Sequence, residues 1–241
     1  MAKDDLFRDP ETRIDEFDFG PRTAAVFDDM LERSVPFYAE IQRMLGEIAA
    51  DFAVPGTRLY DLGCSTGTTL LRLDPVVPAE VTFVGVDASP DMLDKARAKL
   101  AAHGFRRPHQ LICQNLEQGV AVTDASVVIL CLTLQFVRPL HRDRLISGIA
   151  AGIRSNGCLL LVEKILGQDS TFNRLFVKYY YEFKKRQGYS ELEIARKREA
   201  LENVLIPYHF EENRELLLRN GFRACEVFFR WYNFCGMLAI K

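Results

Sequence analysis

Apolar positions along this chain follow a helical period at first and then fall into short strand-like runs, with the switch at residue 57. Before it, Ile41, Leu45 and Ile48 form an apolar stripe on one helical face, and Pro36 suits a first helical turn. Two helices are predicted, near 21–33 and 36–53, after a segment up to about residue 20 that reads as extended or loosely ordered. From 57 onward strands and helices alternate. Strand one falls at 57–62, a helix at 67–73, strand two at 81–86 and strand three at about 109–114. Ser89 as cap with Pro90 behind it opens a helix whose Met92, Leu93, Ala96 and Leu100 share a face. Strand four, 125–131, is apolar throughout, as suits a parallel strand covered on both faces. Leu145, Ile146, Ile149 and Ile153 mark a further helix ended by Gly157, and strand five follows at 159–162.

After Glu163 and Lys164 the rhythm breaks. Residues 169–205 predict two long helices separated by Gly188, the second opened by a capping box of Ser190 and Glu193. The alternation then resumes with a helix near 210–219, a turn at Asn220-Gly221, and strands at 222–229 and 231–240. Those last two are nearly contiguous and should pair as an antiparallel hairpin. The predicted class is therefore α/β: a doubly wound, mostly parallel seven-stranded sheet with a C-terminal antiparallel hairpin. It is read as a single domain over 1–241, with N-terminal helices at 21–53 and a helical insertion at about 169–205.

The candidate chemistry lies where strand one hands over to its helix. The run Thr57-Arg-Leu-Tyr-Asp61-Leu-Gly63-Cys64-Ser65-Thr66-Gly67 ends a strand in an acid and a tight turn of small residues. Backbone amides at such a turn and at the following helix N-terminus face outward, ready for a polar ligand. Gly63 and Gly67 let the chain bend sharply and let a ligand approach the main chain. Twenty-four positions after Gly63, strand two also ends in an acid, Asp87, placed to hold two ribose hydroxyls. Both features point to an adenosine-bearing ligand at the carboxyl edge of a parallel sheet. The third glycine of a dinucleotide fingerprint is absent, and Asp61 suits a ligand with a cationic amino group better than a phosphate. S-Adenosylmethionine has that amino group and no phosphate. The bland alternative is an ordinary strand–turn–helix that binds nothing.

Composition narrows the field. A chain of 241 residues suits one large domain, able to bury about 70–75% of its unfolded surface. A formal net charge of -2 makes no global demand for nucleic acid or an anionic membrane. The six cysteines never fall at C-x-x-C spacing and read as reduced core residues of a cytoplasmic protein. The opening Met-Ala-Lys-Asp-Asp is polar and unlike a signal peptide. No window of about 20 apolar residues suggests a membrane span. His103, His109, His141 and His209 are scattered, and no metal is expected.

The insertion carries Tyr179, Tyr180, Tyr181 and Phe183 with Lys178, Lys184, Lys185, Arg186, Arg196, Lys197 and Arg198. Its plain reading is a core-facing aromatic stripe beneath a solvated cationic face. Two functional readings stand beside it. One is a lid that presents an arginine or two to an anionic substrate; the other is an RNA-facing patch.

The chain resembles the carboxy-S-adenosyl-L-methionine synthases, a branch of the class I methyltransferase fold that supplies tRNA wobble-uridine modification. The resemblance is carried by Ala25 to Tyr38 (AVFDDMLERSVPFY), Tyr60 to Ser65 (YDLGCS), Thr133 to Phe136 (TLQF), the run FKKRQGYSELEIARKREALENV at 183–204, and the ending YNFCGMLAIK at 232–241. It spans essentially the whole chain, and the 183–204 run is its most diagnostic part. It implies that S-adenosylmethionine and prephenate bind together. Prephenate would lose carbon dioxide and hydroxide to become phenylpyruvate, while the sulfonium methyl, having lost a proton, captures the carbon dioxide. The protein's work would be positioning, exclusion of water and electrostatic stabilisation.

Residue by residue, the resemblance implies that Tyr38 reaches the methionine end of the cofactor and that Gly63, Cys64 and Ser65 line it. Asp87 would take the ribose, with Ala88 beside the adenine. Arg198 would grip the new carboxylate from a dimer partner's insertion, so a homodimer is expected. Some positions depart from the family's pattern: Ala88 stands for a usual asparagine, Asn115-Leu116 for aspartate-isoleucine, and Cys131 for an asparagine. The Asn115 oxygen can still accept from the adenine amino group and the Leu116 amide can still donate. Cys131 is a poorer hydrogen-bonding group at the amino-acid end. Two other functions compete: a conventional methyltransferase acting on a small molecule or RNA, and a non-catalytic adenosine-ligand or RNA-binding module. Arg198 separates the first two, because a plain methyl donor needs no cation beside its methyl group.

Overall fold

The structure, a computed structural model, describes residues 2–11 and 13–241; Met1 and Thr12 lie outside the described residues. Helix α1 (Pro21–Ser34) and α2 (Tyr38–Phe52) precede the sheet. The alternation then runs β1 (Arg58–Leu62), α3 (Thr68–Leu73), β2 (Thr82–Asp87), α4 (Pro90–Ala102), β3 (His109–Cys113), β4 (Ala125–Cys131), α5 (Pro139–Gly152) and β5 (Ile153–Leu166). The insertion is α6 (Ser170–Arg186) and α7 (Glu191–Leu201), and the chain closes with β6 (Tyr208–His209), α8 (Phe210–Arg219), β7 (Ala224–Trp231) and β8 (Phe234–Ile240).

Seven strands lie in the order β3-β2-β1-β4-β5-β8-β7, with the two-residue β6 added beside β5. The first five strands are parallel, and β8 is antiparallel to both β5 and β7. Successive residues of a strand feed opposite layers. In β1, Leu59 packs under α2 and α3 while Tyr60 and Leu62 face the α5 and α8 side; in β4, Val127 and Ile129 divide from Val128 and Leu130 in the same way. This two-sided burial is why β4 reads as an unbroken apolar run. The Ser89 hydroxyl accepts from the Met92 amide, capping α4 as predicted, and the Ser190–Glu193 capping box opens α7.

Two local expectations fail. Pro36 does not enter α2; it sits in the turn before it, and Phe37, at φ 55°, precedes the first helical residue Tyr38. Gly157 does not end α5. That helix stops at Gly152, where a Cβ would come within 2.1 Å of the Val122 carbonyl oxygen. Gly157 lies inside β5, at the irregularity where pairing jumps from Ala125–Ile153 to Val127–Cys158. A Cβ there would meet the Ser126 carbonyl oxygen at 2.8 Å, so glycine permits the bulge rather than a helix stop.

Candidate functional site

The parallel strands end at a cavity of about 490 Å³, within the size range of small-molecule sites. One end is formed by the turn after β1. Gly63 has φ +82° and packs so closely on the next crossover that a Cβ would lie 2.3 Å from Thr133 Oγ1. At this glycine the close neighbour is thus the protein's own loop after β4, which seals the floor. Ser65, at φ 46°, points its backbone amide to Asp87 Oδ2 at 2.9 Å, and Asp87 Oδ1 accepts from the Ser89 amide at 2.9 Å. The Asp87 carboxylate is thereby fixed between two strand ends. Burial raises its proton affinity above the usual carboxylate range in spite of those amides. The turn is braced from outside by Lys99, whose Nζ meets Asp28 Oδ2 at 2.6 Å and the hydroxyls of Thr66 and Thr68.

Tyr38, Gly63, Cys64, Ser65, Asp87, Ala88, Asn115, Leu116 and Cys131 all line this one cavity. The Asn115 oxygen accepts from the Glu117 amide at 2.9 Å, leaving one acceptor lone pair and both amide protons for a ligand. Cys131 Sγ accepts only a long contact from Gln42 Nε2 at 3.8 Å, and burial pushes its thiol up, so it is a neutral wall. Burial likewise keeps the Tyr38 hydroxyl protonated, a donor toward the cavity it lines. Asp61 is 1% exposed and does not line the cavity; it sits beneath the floor with Oδ2 lacking a hydrogen-bond partner. Burial, and then the charge of Asp87, raise it to about 7. Any help it gives a ligand ammonium is through the field, not by contact.

Arg198 is the exception. It is exposed on α7, and its own chain's cavity is lined instead by the neighbouring Lys197. Sequence reasoning also missed how the far end of the cavity is built. Lys164, Lys197, Tyr180 and Phe234 line it, and Lys184 is buried behind them. Lys184, Arg196 and Lys197 are buried rather than solvated, at 4%, 8% and 6% exposed. The reason lies far away in sequence: the segment before α1 lies across α7. Asp4 takes a hydrogen bond from Tyr189 at 2.5 Å and pairs with Lys197 at 3.5 Å, Arg196 donates to the Pro10 carbonyl, and Phe17 donates its amide to Ala200. Phe17 and Phe19 then complete the cavity wall, Phe19 packing edge-on against Phe136 at 5.1 Å. The only advance signal was the odd pairing of aromatic and basic residues in the insertion.

The nucleoside end fits S-adenosylmethionine: a carboxylate fixed at the end of β2, a glycine turn at positive φ, and amide groups of Asn115 beside Ala88. Among the described residues no group of three or more His, Cys, Asp or Glu is placed to hold a metal, and no helix is long and apolar enough to cross a membrane.

Comparison with known proteins agrees with this geometry. A methyltransferase-domain family model matches residues 59–157. The chain is 59% identical over 242 residues to the carboxy-S-adenosyl-L-methionine synthase of Methylococcus capsulatus, covering 100% of both chains. It is 44% identical to the synthase of the same name from Desulfotalea psychrophila, over 99% of this chain and 97% of that one. Among solved structures, an S-adenosylmethionine-dependent methyltransferase described as putative, from Methanococcus maripaludis, superposes with a TM-score of 0.62 at 16% identity, over 95% of this chain and 97% of that one. Human N-acetylserotonin methyltransferase, solved in complex with its S-adenosylmethionine ligand, gives a TM-score of 0.63 at 14% identity, over 91% of this chain and 55% of that one. These structures share the fold, and the full-length relatives decide the family: this chain is an enzyme belonging to the carboxy-S-adenosyl-L-methionine synthases.

Proposed function

We propose that this enzyme converts S-adenosylmethionine and prephenate to carboxy-S-adenosylmethionine, phenylpyruvate and water. The product would supply tRNA wobble-uridine modification in the cytoplasm, with no direct nucleic-acid contact by this chain. The atoms balance: prephenate gives up carbon dioxide and hydroxide, the methyl group gives up the proton that makes water of that hydroxide, and a carbon–carbon bond forms to the carbon dioxide. The observation that carries the reading is the full-length relationship joined to a cavity with a nucleoside end and a cationic end.

When bound, S-adenosylmethionine supplies a methyl group acidified by its sulfonium neighbour. The protein orients and encloses. Asp87 takes the ribose hydroxyls, Asn115 and the Leu116 backbone meet the adenine edge beside Ala88, and Gly63, Cys64 and Ser65 form the wall along the chain to the methionine end. Tyr38 donates there, and Cys131 contributes shape. The strap of Phe17 and Phe19 shields the cavity from water, which would otherwise compete for carbon dioxide and weaken every charge interaction inside.

Arg198 has its role between subunits. Exposed on α7 and away from its own cavity, it would cross into a partner's site and grip the new carboxylate in a homodimer. Exposed rings on α6 and the β7–β8 turn, Phe172, Tyr179 and Tyr232, support an association surface that includes part of the insertion.

Incubation with S-adenosylmethionine and prephenate, followed by mass spectrometry, should yield phenylpyruvate and a sulfonium heavier by one carboxyl group. Methyl transfer to an acceptor without phenylpyruvate would assign conventional methyltransferase chemistry, and no turnover with any acceptor would leave a binding module. Arg198→Ala should retain S-adenosylmethionine affinity and lose about 10-fold or more for the carboxylated form. Equal affinity of mutant and parent for that form would end the Arg198 assignment.

A further inference from the structure

The cavity's cationic end gathers more lysine amino groups than it has carboxylates paired with them. Lys164 Nζ lies 4.5 Å from the Tyr180 ring centroid and 5.8 Å from that of Phe234, both cavity-lining rings. No carboxylate of the described residues is within ion-pair distance of it. Lys197 Nζ has Asp4 at 3.5 Å and the Ser34 hydroxyl at 3.4 Å. Lys184 Nζ stands 5.7 Å from Tyr180 and 5.2 Å from Tyr189, and the carboxylates of Asp4 and Glu193 act on it only from beyond ion-pair distance. Among the described residues Asp4 is thus the one carboxylate in ion-pair contact with this lysine group, while Glu193, engaged in capping α7, reaches Lys184 only at longer range.

Ammonium groups are stripped of water here, and ring faces replace only part of that hydration. Burial, together with Lys197, pushes Lys164 down to about 8, and burial with both neighbours pushes Lys184 down to about 6. A fold selected for stability alone has no need of Lys164 at this place, at the end of a central strand and opening onto the cavity. Its backbone is meanwhile pinned, its amide donating to Gln135 Oε1 at 3.0 Å, which fixes the point from which the side chain starts.

Resting on the two-substrate reading above, we propose that this end of the cavity is the subsite for the organic acid: Lys164, with Lys197 behind it, takes a carboxylate, and Tyr180 and Phe234 receive the ring. The subsite thus selects for an acid whose carboxylate lies within a few ångströms of an apolar ring. The carboxylate that Lys164 takes is the side-chain one, which phenylpyruvate keeps, so the ring carboxylate that is lost as carbon dioxide is left free in the same chamber as the methyl group.

Lys164→Met and Lys164→Arg test this by steady-state kinetics, with S-adenosylmethionine affinity measured separately by calorimetry. In Lys164→Met the KM for prephenate should rise about 30-fold or more, the loss typical of truncating one member of a buried charge pair. Affinity for S-adenosylmethionine should stay within about threefold, and Lys164→Arg should recover part of the KM. A KM within threefold of the parent, or a parallel loss of S-adenosylmethionine affinity, would overturn the subsite. Should Lys164→Met not fold, Lys197→Gln is read out by the same pair of measurements. If the parent makes no phenylpyruvate, the reaction assignment fails and the subsite is judged by binding: phenylpyruvate titrated into the parent loaded with S-adenosylhomocysteine should bind, and should bind at least about 10-fold less tightly to Lys164→Met. Absent or equal binding would then overturn the subsite by itself.

Discussion

The two ends of the cavity are built by opposite means. The nucleoside end is assembled from main chain and short side chains at three adjacent loops, with acids at its edge: Asp87 in the wall and Asp61 beneath the floor. The far end is assembled from long side chains, lysines and rings, supplied by the end of β5, the insertion helices and β8. The first is rigid because strands and a glycine turn fix it. The second also depends on a distant segment, anchored by Asp4, that packs over α7. A single chamber is thus polarised, acidic where a cation is expected and basic where an anion is expected.

The contrast breaks most sharply at Gly63. Gly63→Ala places a Cβ 2.3 Å from Thr133 Oγ1 at φ +82°. The positive φ and the overlap together should destabilise the protein by about 3 kcal/mol and abolish S-adenosylmethionine binding, as thermal unfolding and calorimetry would report. Next comes Asp87→Ala, which leaves the Ser65 and Ser89 amides without their acceptor and removes the ribose ligand. The loss of affinity should be about 30- to 300-fold, with prephenate KM nearly unchanged if the two ends are independent.

The smallest effect has the reverse sign. Lys184 is 4% exposed and pushed down to about 6 by burial, so between about pH 6 and the ordinary lysine value near 10.4 the unfolded chain holds a proton that the folded one lacks. Its contribution to stability therefore rises with pH across that window and is most unfavourable at the acid side. Lys184→Met should raise stability at pH 7 by about 1–3 kcal/mol and flatten that rise, measured as denaturation midpoints from pH 6 to 10. Asp61, raised to about 7, acts with the opposite slope below that value, since there the folded state keeps the proton. A Lys184→Met protein less stable than its parent at pH 7 would mean that the lysine is held by contacts stronger than its desolvation.

The nucleoside end was legible in the sequence because its signals are local. A strand ending in Asp61, a turn needing glycine, and a second strand ending in Asp87 lie close together, and period and turn chemistry report them directly. The cationic end was not, because what buries Lys184 and Lys197 is Asp4, nearly two hundred residues away in sequence. A helix of weak amphipathicity such as α7 gives no sign of a cover laid over its charged face. Lys164 was hidden for another reason: with Glu163 it follows a long apolar strand, and the two look like a solvated pair past its end. Pro36 and Gly157 misled through real preferences that tertiary structure overrode, a turn in one case and a bulge in the other. Arg198 was legible only through family likeness, since an exposed helical arginine on one chain carries no mark of a neighbour.

The strap in front of α1 has a kinetic meaning. Glu16, Phe17 and Phe19 wall the chamber while Asp4 and Pro10 are tied to the insertion, so a ligand leaving on that side should need those residues to lift away. Residence time should follow how firmly a handful of early residues are fastened, more than how many contacts the nucleoside itself makes. An extension fused ahead of them would alter turnover without altering affinity.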